Sequence, residues 1–152
     1  MSEPVATAVI LAGGLGTRIR QLHPETPKPL IPIGGKPFLV WQLEWLRAQG
    51  ISRVVLAIGY RAEQIAAYFA TPRVTGLAVC CVQEQTPLGT GGAMRFAAQA
   101  VTEEWCLVCN GDSLCPADVT PLWSDAMQHH CEAALLVARV ADVRDCGSVV
   151  VD

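Results

Sequence analysis

The stretch VATAVILAGGLGTRIRQLHPETPKPL, residues 5–30, joins two unlike halves. Val5 to Leu11 is an apolar, β-branched run of the length of one buried strand. The second half is a loop, rich in glycine at its start and in proline at its end. Gly13, Gly14 and Gly16 let the backbone take unusual dihedrals and approach a ligand closely. Successive N–H groups in such a loop can form an anion-binding nest. Arg18 and Arg20 come next, then Lys28 between Pro27 and Pro29. The chain's only two lysines, Lys28 and Lys36, both lie here, and between residues 12 and 36 only Glu25 opposes them. A basic island placed after a strand suits a polyphosphate. Pro29 biases Lys28 toward extended backbone, which would lower the entropy lost on meeting a ligand. A proline-rich surface turn with a solvated lysine is the plainer alternative. Neither common phosphate loop matches: GxxxxGK followed by Ser or Thr is absent, and the third glycine of GxGxxG is replaced by Ile19.

Outward from this stretch, strand and helix patterns alternate. Residues 37–49 read as a helix with Pro37 near its start and Gly50 as its stop. Phe38, Trp41 and Trp45 recur at helical spacing, as do Leu39, Leu43 and Leu46, so this helix is expected to be well buried. Further strands are expected at 53–59, 77–83 and 105–110, and helices at 62–70, 91–101 and 118–130. Residues 132–140 (EAALLVARV) read as a further strand, and 147–151 (GSVVV) as the start of another. Short apolar strands alternating with helices predict an α/β domain over residues 1–152. The expected form is a doubly wound, mostly parallel sheet with helices on both faces. Ligands in such folds bind beyond the carboxyl ends of the strands, so the loops after the first, third and fourth strands are the places to look.

Bulk properties narrow the function. A net charge of −3 argues against a broad nucleic-acid face, so any grip on phosphate must be local. No apolar run approaches the roughly 18 residues of a membrane span. No Lys or Arg precedes the first apolar run, which argues against a signal peptide. A soluble, cytoplasmic chain is expected. The seven cysteines read as reduced core residues. Cys106 and Cys109 form a CxxC within a strand, where positions three apart face opposite ways and cannot share a metal. His23, His129 and His130 receive no chemistry, and Arg20 and Lys36 are equally readable as phosphate contacts or solvated side chains.

The segments LAGGLGTR…PKPL (11–30), GGKPFL (34–39), PLGTGGA (87–93) and NGD (110–112) together resemble the sugar-phosphate nucleotidyltransferases, or nucleoside-diphosphate-sugar pyrophosphorylases. The resemblance covers roughly residues 6–114, with an echo at CGSVVVD (146–152). Gln21 stands where many members have proline. GTRIR, GKPFL, the Gly59–Tyr60 pair and PLGTGGA look most like the D-glycero-α-D-manno-heptose 1-phosphate guanylyltransferase branch. The resemblance implies a Rossmann-like nucleotidyltransferase domain. It also implies a reaction in which a sugar 1-phosphate attacks the α-phosphorus of a nucleoside triphosphate, with GTP expected, and pyrophosphate leaves.

The same resemblance implies roles by position. Leu11, Ala12, Gly13, Gly14, Gly16 and Thr17 would wrap the nucleotide. Arg18 would hold the β/γ-phosphates and Lys28 the reacting phosphates. Glu84, Gly89 and Thr90 would lie beside base and ribose. Asn110, Gly111 and Gly147 would line the sugar site. Asp112 would hold Mg²⁺, although NGD by itself is equally an Asx turn after a strand. Members carry a Glu–Lys pair and a second Asp further along, so the sugar-binding part is expected to be truncated here. An unpaired sheet edge would then favour homo-oligomers. Three rival readings remain: a uridylyltransferase or other-base member of the same family, a truncated non-catalytic nucleotide-binding module, and a dinucleotide-dependent oxidoreductase. The missing third glycine speaks against the last.

Overall fold

The computed structural model describes residues 5–142, 144 and 147–150. The chain divides into two compact units, one running up to Ala117 and one from Asp118 onward. The first unit is built on four parallel strands: β1 (Thr7–Ala12), β4 (Arg53–Ile58), β5 (Ala78–Gln83) and β6 (Leu107–Asn110). Their order is β5-β4-β1-β6. Between β1 and β4 come a 3₁₀ turn at Lys28–Leu30, a small antiparallel pair β2 (Pro32–Ile33) and β3 (Lys36–Pro37), and helix α1 (Phe38–Ala48). Helix α2 (Ala62–Phe69) joins β4 to β5, and α3 (Gly89–Ala98) joins β5 to β6. The second unit contains α4 (Thr120–Gln128).

The strands form where apolar runs can be buried on both sides. Val54 to Ile58 are all buried, and in β1 Ala8, Val9 and Ile10 are too. Period-two alternation splits these between the faces. Val9, Val55 and Ala57 share one face and pack with Ala97 of α3. The chain steps from β1 to β4 to β5 in one direction across the sheet, then returns past both to β6. Right-handed crossovers therefore put α1 and α2 on one face and α3 on the other, the doubly wound arrangement expected.

α1 buries Leu39, Val40, Leu43 and Leu46. It ends in a Schellman motif: Ile51 N–H donates to Leu46 O and Gly50 N–H to Arg47 O, both at 3.1 Å. Gly50 supplies the φ of +90° that this stop requires. Trp41 departs from the expected burial and is 39% exposed. Its indole donates to Ile33 O (2.8 Å), so it holds the β2–β3 hairpin rather than the core.

Four expectations are corrected. Residues 132–140 form no strand; Leu135, Leu136, Val137 and Val140 are exposed. Residues 147–150 likewise form no strand, and Val151 lies outside the described residues. Apolar composition alone does not make a strand, which needs a neighbour to satisfy its N–H and C=O groups. The cysteines are free but not core: Cys80 and Cys115 are exposed, the other four described ones only partly buried, and Cys146 lies outside the described residues. Lys28 is not extended but opens the 3₁₀ turn, in which Leu30 N–H donates to Pro27 O (2.8 Å) and Ile31 N–H to Lys28 O (3.2 Å). The extended residue is Pro27. No helix is long and apolar enough to cross a membrane among the described residues.

Candidate functional site

The strand order makes β1 a switch point, with β4 on one side and β6 on the other. A crevice lies beyond the carboxyl ends of β1 and β6, where ligands bind in folds of this kind. Its walls include Leu11 and Ala12 from the end of β1, Gly14 and Gly16 from the loop after it, Lys28 and Pro29 from the 3₁₀ turn, and Gly111 and Asp112 from the loop after β6. Lys28 Nζ donates to Asp112 Oδ2 at 2.8 Å across this opening. The Lys28 ammonium, with a weaker bond from Ser113 Oγ, holds the Asp112 carboxyl below its ordinary range. The crevice continues over Thr17, Arg18 and Ile19. Arg18 is exposed there and makes no ion pair among the described residues.

Glycines set how closely the walls meet. A Cβ on Gly111 would stand 2.7 Å from Leu11 O, whose carbonyl accepts the Gly111 N–H (2.9 Å). The turn after β6 is thus sealed against the end of β1. A Cβ on Gly13 would meet Glu84 Oε1 at 2.8 Å, and one on Gly59 would meet Gly13 O at 3.0 Å. Three strand ends, β1, β4 and β5, therefore converge on Gly13. Glu84 continues the ladder through its N–H to Ile58 O (2.9 Å), and its other carboxylate oxygen accepts from Leu88 N–H (3.1 Å). Gly14, by contrast, has nothing within 4 Å of a built Cβ and faces open space.

The other expected site residues divide clearly. Gly89 and Thr90 open α3 and are exposed, Gly89 at φ +70°. Asn110 ends β6 and is exposed. Gly147 belongs to the second unit, and a Cβ built on it meets no atom of the described residues beyond its chain neighbours within 4 Å. Lys36 is committed elsewhere: it pairs with Glu44 and lies 3.5 Å from the Trp41 ring centroid. The Arg20 guanidinium lies over Tyr60, 5.5 Å from its centroid. Cys109 on β6 is buried enough to push its thiol up to about 11, which makes it a poor nucleophile or ligand. No group of three His, Cys, Asp or Glu side chains is placed to hold a metal among the described residues.

Two residues without an assigned role support the site from behind. Gln42 on α1 is 1% exposed, and its Nε2 donates to Asn110 O (2.8 Å) and Ser113 O (3.1 Å). It thereby holds the two ends of the turn that carries Asp112. Arg61, at the start of α2, donates to Pro24 O (2.9 Å) and Glu25 O (2.8 Å) in the loop between Arg18 and Lys28. A lone glutamine in an apolar helix is a signal for the first. Nothing in the sequence marks the second.

Comparison with known proteins agrees with this fold. The D-glycero-alpha-D-manno-heptose 1-phosphate guanylyltransferase of Aneurinibacillus thermoaerophilus is 38% identical over 143 residues, covering 94% of this chain and 62% of that protein. The mannose-1-phosphate guanylyltransferase of Mycobacterium tuberculosis is 37% identical over 152 residues, covering all of this chain and 42% of the relative. The chain thus spans only part of the length of the relatives it matches. Among solved structures, HddC from Yersinia pseudotuberculosis complexed with GMP-PN superposes with a TM-score of 0.73 at 36% identity, over 81% of this chain and 55% of that one. Residues 8–144 match the model of the MobA-like NTP transferase domain, and the chain belongs to that family.

Proposed function

We propose that the chain carries the nucleotide-binding part of an enzyme that joins a nucleoside triphosphate, GTP in the first instance, to a sugar 1-phosphate of the heptose or mannose type. A phosphate oxygen of the sugar forms a bond to the α-phosphorus, the bond to the bridging oxygen breaks, and its electron pair leaves with pyrophosphate. No covalent enzyme intermediate is needed, so catalysis is positioning and charge neutralisation. The observation that carries the reading is the Lys28–Asp112 pair across a glycine-walled crevice at the switch point.

Each of the expected site residues has a job in this reading. The loop from Leu11 to Thr17 encloses the triphosphate with backbone N–H groups. Arg18, exposed and without an ion pair among the described residues, offers its guanidinium fork to the β/γ-phosphates. Lys28 sits between the two anions that must meet. Asp112 is an ionised hard-oxygen donor at the same point, the kind of ligand Mg²⁺ takes alongside phosphates and water. When bound, Mg²⁺ would neutralise phosphate charge. In that state the Lys28 ammonium would turn from Asp112 to the phosphates. Glu84, Gly89 and Thr90 face base and ribose, and Asn110, Gly111 and Gly147 serve the sugar. Free thiols at six cysteines suit a reducing cytoplasm.

The test is a thermal-shift panel of GTP, UTP, CTP, ATP and dTTP with Mg²⁺, followed by pyrophosphate release with heptose or mannose 1-phosphate. A shift largest with GTP and release with one of these sugars support the reading. Absence of a shift with every nucleotide overturns it. A GTP shift without pyrophosphate release favours the second reading, a nucleotide-binding module.

A further inference from the structure

We infer that Arg61 is a positioning residue that fixes the limb between Arg18 and Lys28, and so sets where the phosphate-facing side chains stand. The inference deepens the proposed function and rests on it for its nucleotide-binding arm. Arg61 lies where β4 gives way to α2, just beyond Gly59 and Tyr60. Its backbone is left-handed, φ +53° and ψ 40°. That region is costly for a residue with a long side chain, and such strain persists only where the surroundings impose it. The Arg61 side chain makes no capping bond to α2. The helix alone therefore gives no reason for arginine here.

The reason lies 36 and 37 residues earlier in the chain. The guanidinium spreads over five acceptors, four of them on Tyr60, Pro24 and Glu25 and the fifth on Gln64. Nη1 reaches Glu25 O (2.8 Å), Nη2 reaches Pro24 O (2.9 Å), Nε reaches Tyr60 OH (3.1 Å), and both Nη atoms lie 3.4 Å from Glu25 Oε2. Gln64, with its amide oriented to satisfy its neighbours, donates to the same Glu25 carbonyl (3.1 Å) and accepts from Nη1 (2.8 Å). The two shortest of the guanidinium's own bonds to the loop go to backbone carbonyls. Arg61 thus grips the shape of the loop, not a side chain. The Glu25 carboxylate is 85% exposed and contributes little. On the near side, Gly16 O accepts from Ile19 N–H (3.1 Å) and Arg20 N–H (3.0 Å). With Arg20 over the Tyr60 ring as well, the loop is tied at both ends of the Arg18–Pro24 segment.

A merely structural arginine and a positioning one differ in outcome. Arg61→Gly removes the clamp but also the left-handed strain, and Arg61→Asn does the same with a residue that tolerates this region. The expected melting temperature of each stays within about 3 °C of the parent. Tryptic cleavage after Arg18 and Arg20 should accelerate by about tenfold, while cleavage after Arg47 and Arg95 does not. GTP dissociation constants should rise by about tenfold. Glu25→Ala should leave loop protection and affinity unchanged. Unchanged loop cleavage in both Arg61 variants overturns the clamp, as does equal acceleration at Arg47 and Arg95. Loop opening with unaltered GTP affinity overturns its role in positioning. If the parent chain itself binds no nucleotide, the proposed function fails, and the protease measurements still judge the clamp.

Discussion

Lys28 Nζ and Asp112 Oδ2 stand 2.8 Å apart although 84 residues separate them. One lies in the 3₁₀ turn that ends the glycine-arginine loop, the other just beyond β6. The pair is 39% and 47% exposed, so as a surface ion pair it stabilises the fold by no more than about 1 kcal/mol. Under the proposed function, its placement at the crevice beyond β1 and β6 gives it more weight in binding than in folding. Asp112→Asn should leave the melting temperature nearly unchanged yet abolish the dependence of GTP affinity on Mg²⁺. Lys28→Ala should weaken GTP binding by about tenfold, the value of one charge-assisted phosphate contact. Calorimetric titration with and without Mg²⁺ checks both. Parental Mg²⁺ dependence in Asp112→Asn would remove Asp112 from the site.

The glycines give a prediction that separates folding from binding. Gly111→Ala forces a methyl to within 2.7 Å of the Leu11 carbonyl, which is fixed in the sheet. Overpacking of this kind costs about 1–3 kcal/mol, or several degrees of melting temperature. Gly14→Ala meets nothing within 4 Å and should keep full stability. If the loop holds phosphate through its backbone, the Gly14 methyl will instead weaken GTP binding. Equal effects of the two substitutions on melting temperature would contradict this division.

The same contrast, between local pattern and distant contact, divides what is legible in the sequence from what is not. Strands β1 and β4 are legible because burial on two faces demands unbroken apolar runs. β5 is legible from its apolar run alone, since as the edge strand it is exposed or half-buried throughout. α1 is legible because periodicity and Gly50 bound it, and α2 from its periodicity. α3 begins at Gly89 rather than 91, since a Gly-Thr-Gly-Gly turn has poor helix propensity and is carried by its setting. The β2–β3 hairpin is missing from the sequence reading, although Gly34–Gly35, both at positive φ, is the pair a tight primed turn favours. The contacts that aim the site are not legible. Gln42 to Asn110, Arg61 to Pro24 and Glu84 to Gly13 join positions far apart in sequence. A lone glutamine in an apolar helix marks one end of the first, but no local pattern gives the partners. The opposite error arises at 132–140, where composition resembles a strand but no neighbouring strand is specified.

At the far end of the sheet, acid stability should depend on Glu103. Thr7 Oγ1, buried at the start of β1, donates to Glu103 Oε1, while Thr102 N–H and Oγ1 donate to Oε2. These bonds, with Thr7 foremost, hold the carboxyl down at about 2. A depressed carboxyl contributes stability that is fully present above its unfolded value near 4.5 and is lost as pH falls toward about 2. The side chain is about one-third exposed (35%), so screening limits the contribution to about 1 kcal/mol. Glu103→Gln should lower the melting temperature at pH 7 by a few degrees and flatten its fall between about pH 4.5 and 2. GTP affinity at pH 7 should not change, because the residue lies at the amino ends of the strands. A melting profile across that pH window, parent against variant, checks the sign.

Gln42→Leu tests whether the turn carrying Asp112 needs an internal tether. The substitution nearly conserves volume inside α1 but removes both donated bonds, to Asn110 O and Ser113 O. Leaving two carbonyls without their donor costs about 1–3 kcal/mol if they stay buried. The turn is exposed at Asn110, Asp112 and Ser113, so water can replace the amide there. The leucine also removes Gln42 Oε1, which is buried without a hydrogen-bond partner among the described residues. These effects oppose each other, and the expected stability change is within about 1.5 kcal/mol. The turn itself should loosen. Amide exchange at Asp112 and Ser113 should accelerate, and Mg²⁺-dependent GTP affinity should fall without any change in the loop beside Arg18. Affinity falls because Asp112 spends more time out of register with Lys28, and tight ligation requires both at once. Exchange rates equal to the parent's would show that the sheet end, through Gly111 N–H to Leu11 O, suffices to hold the turn.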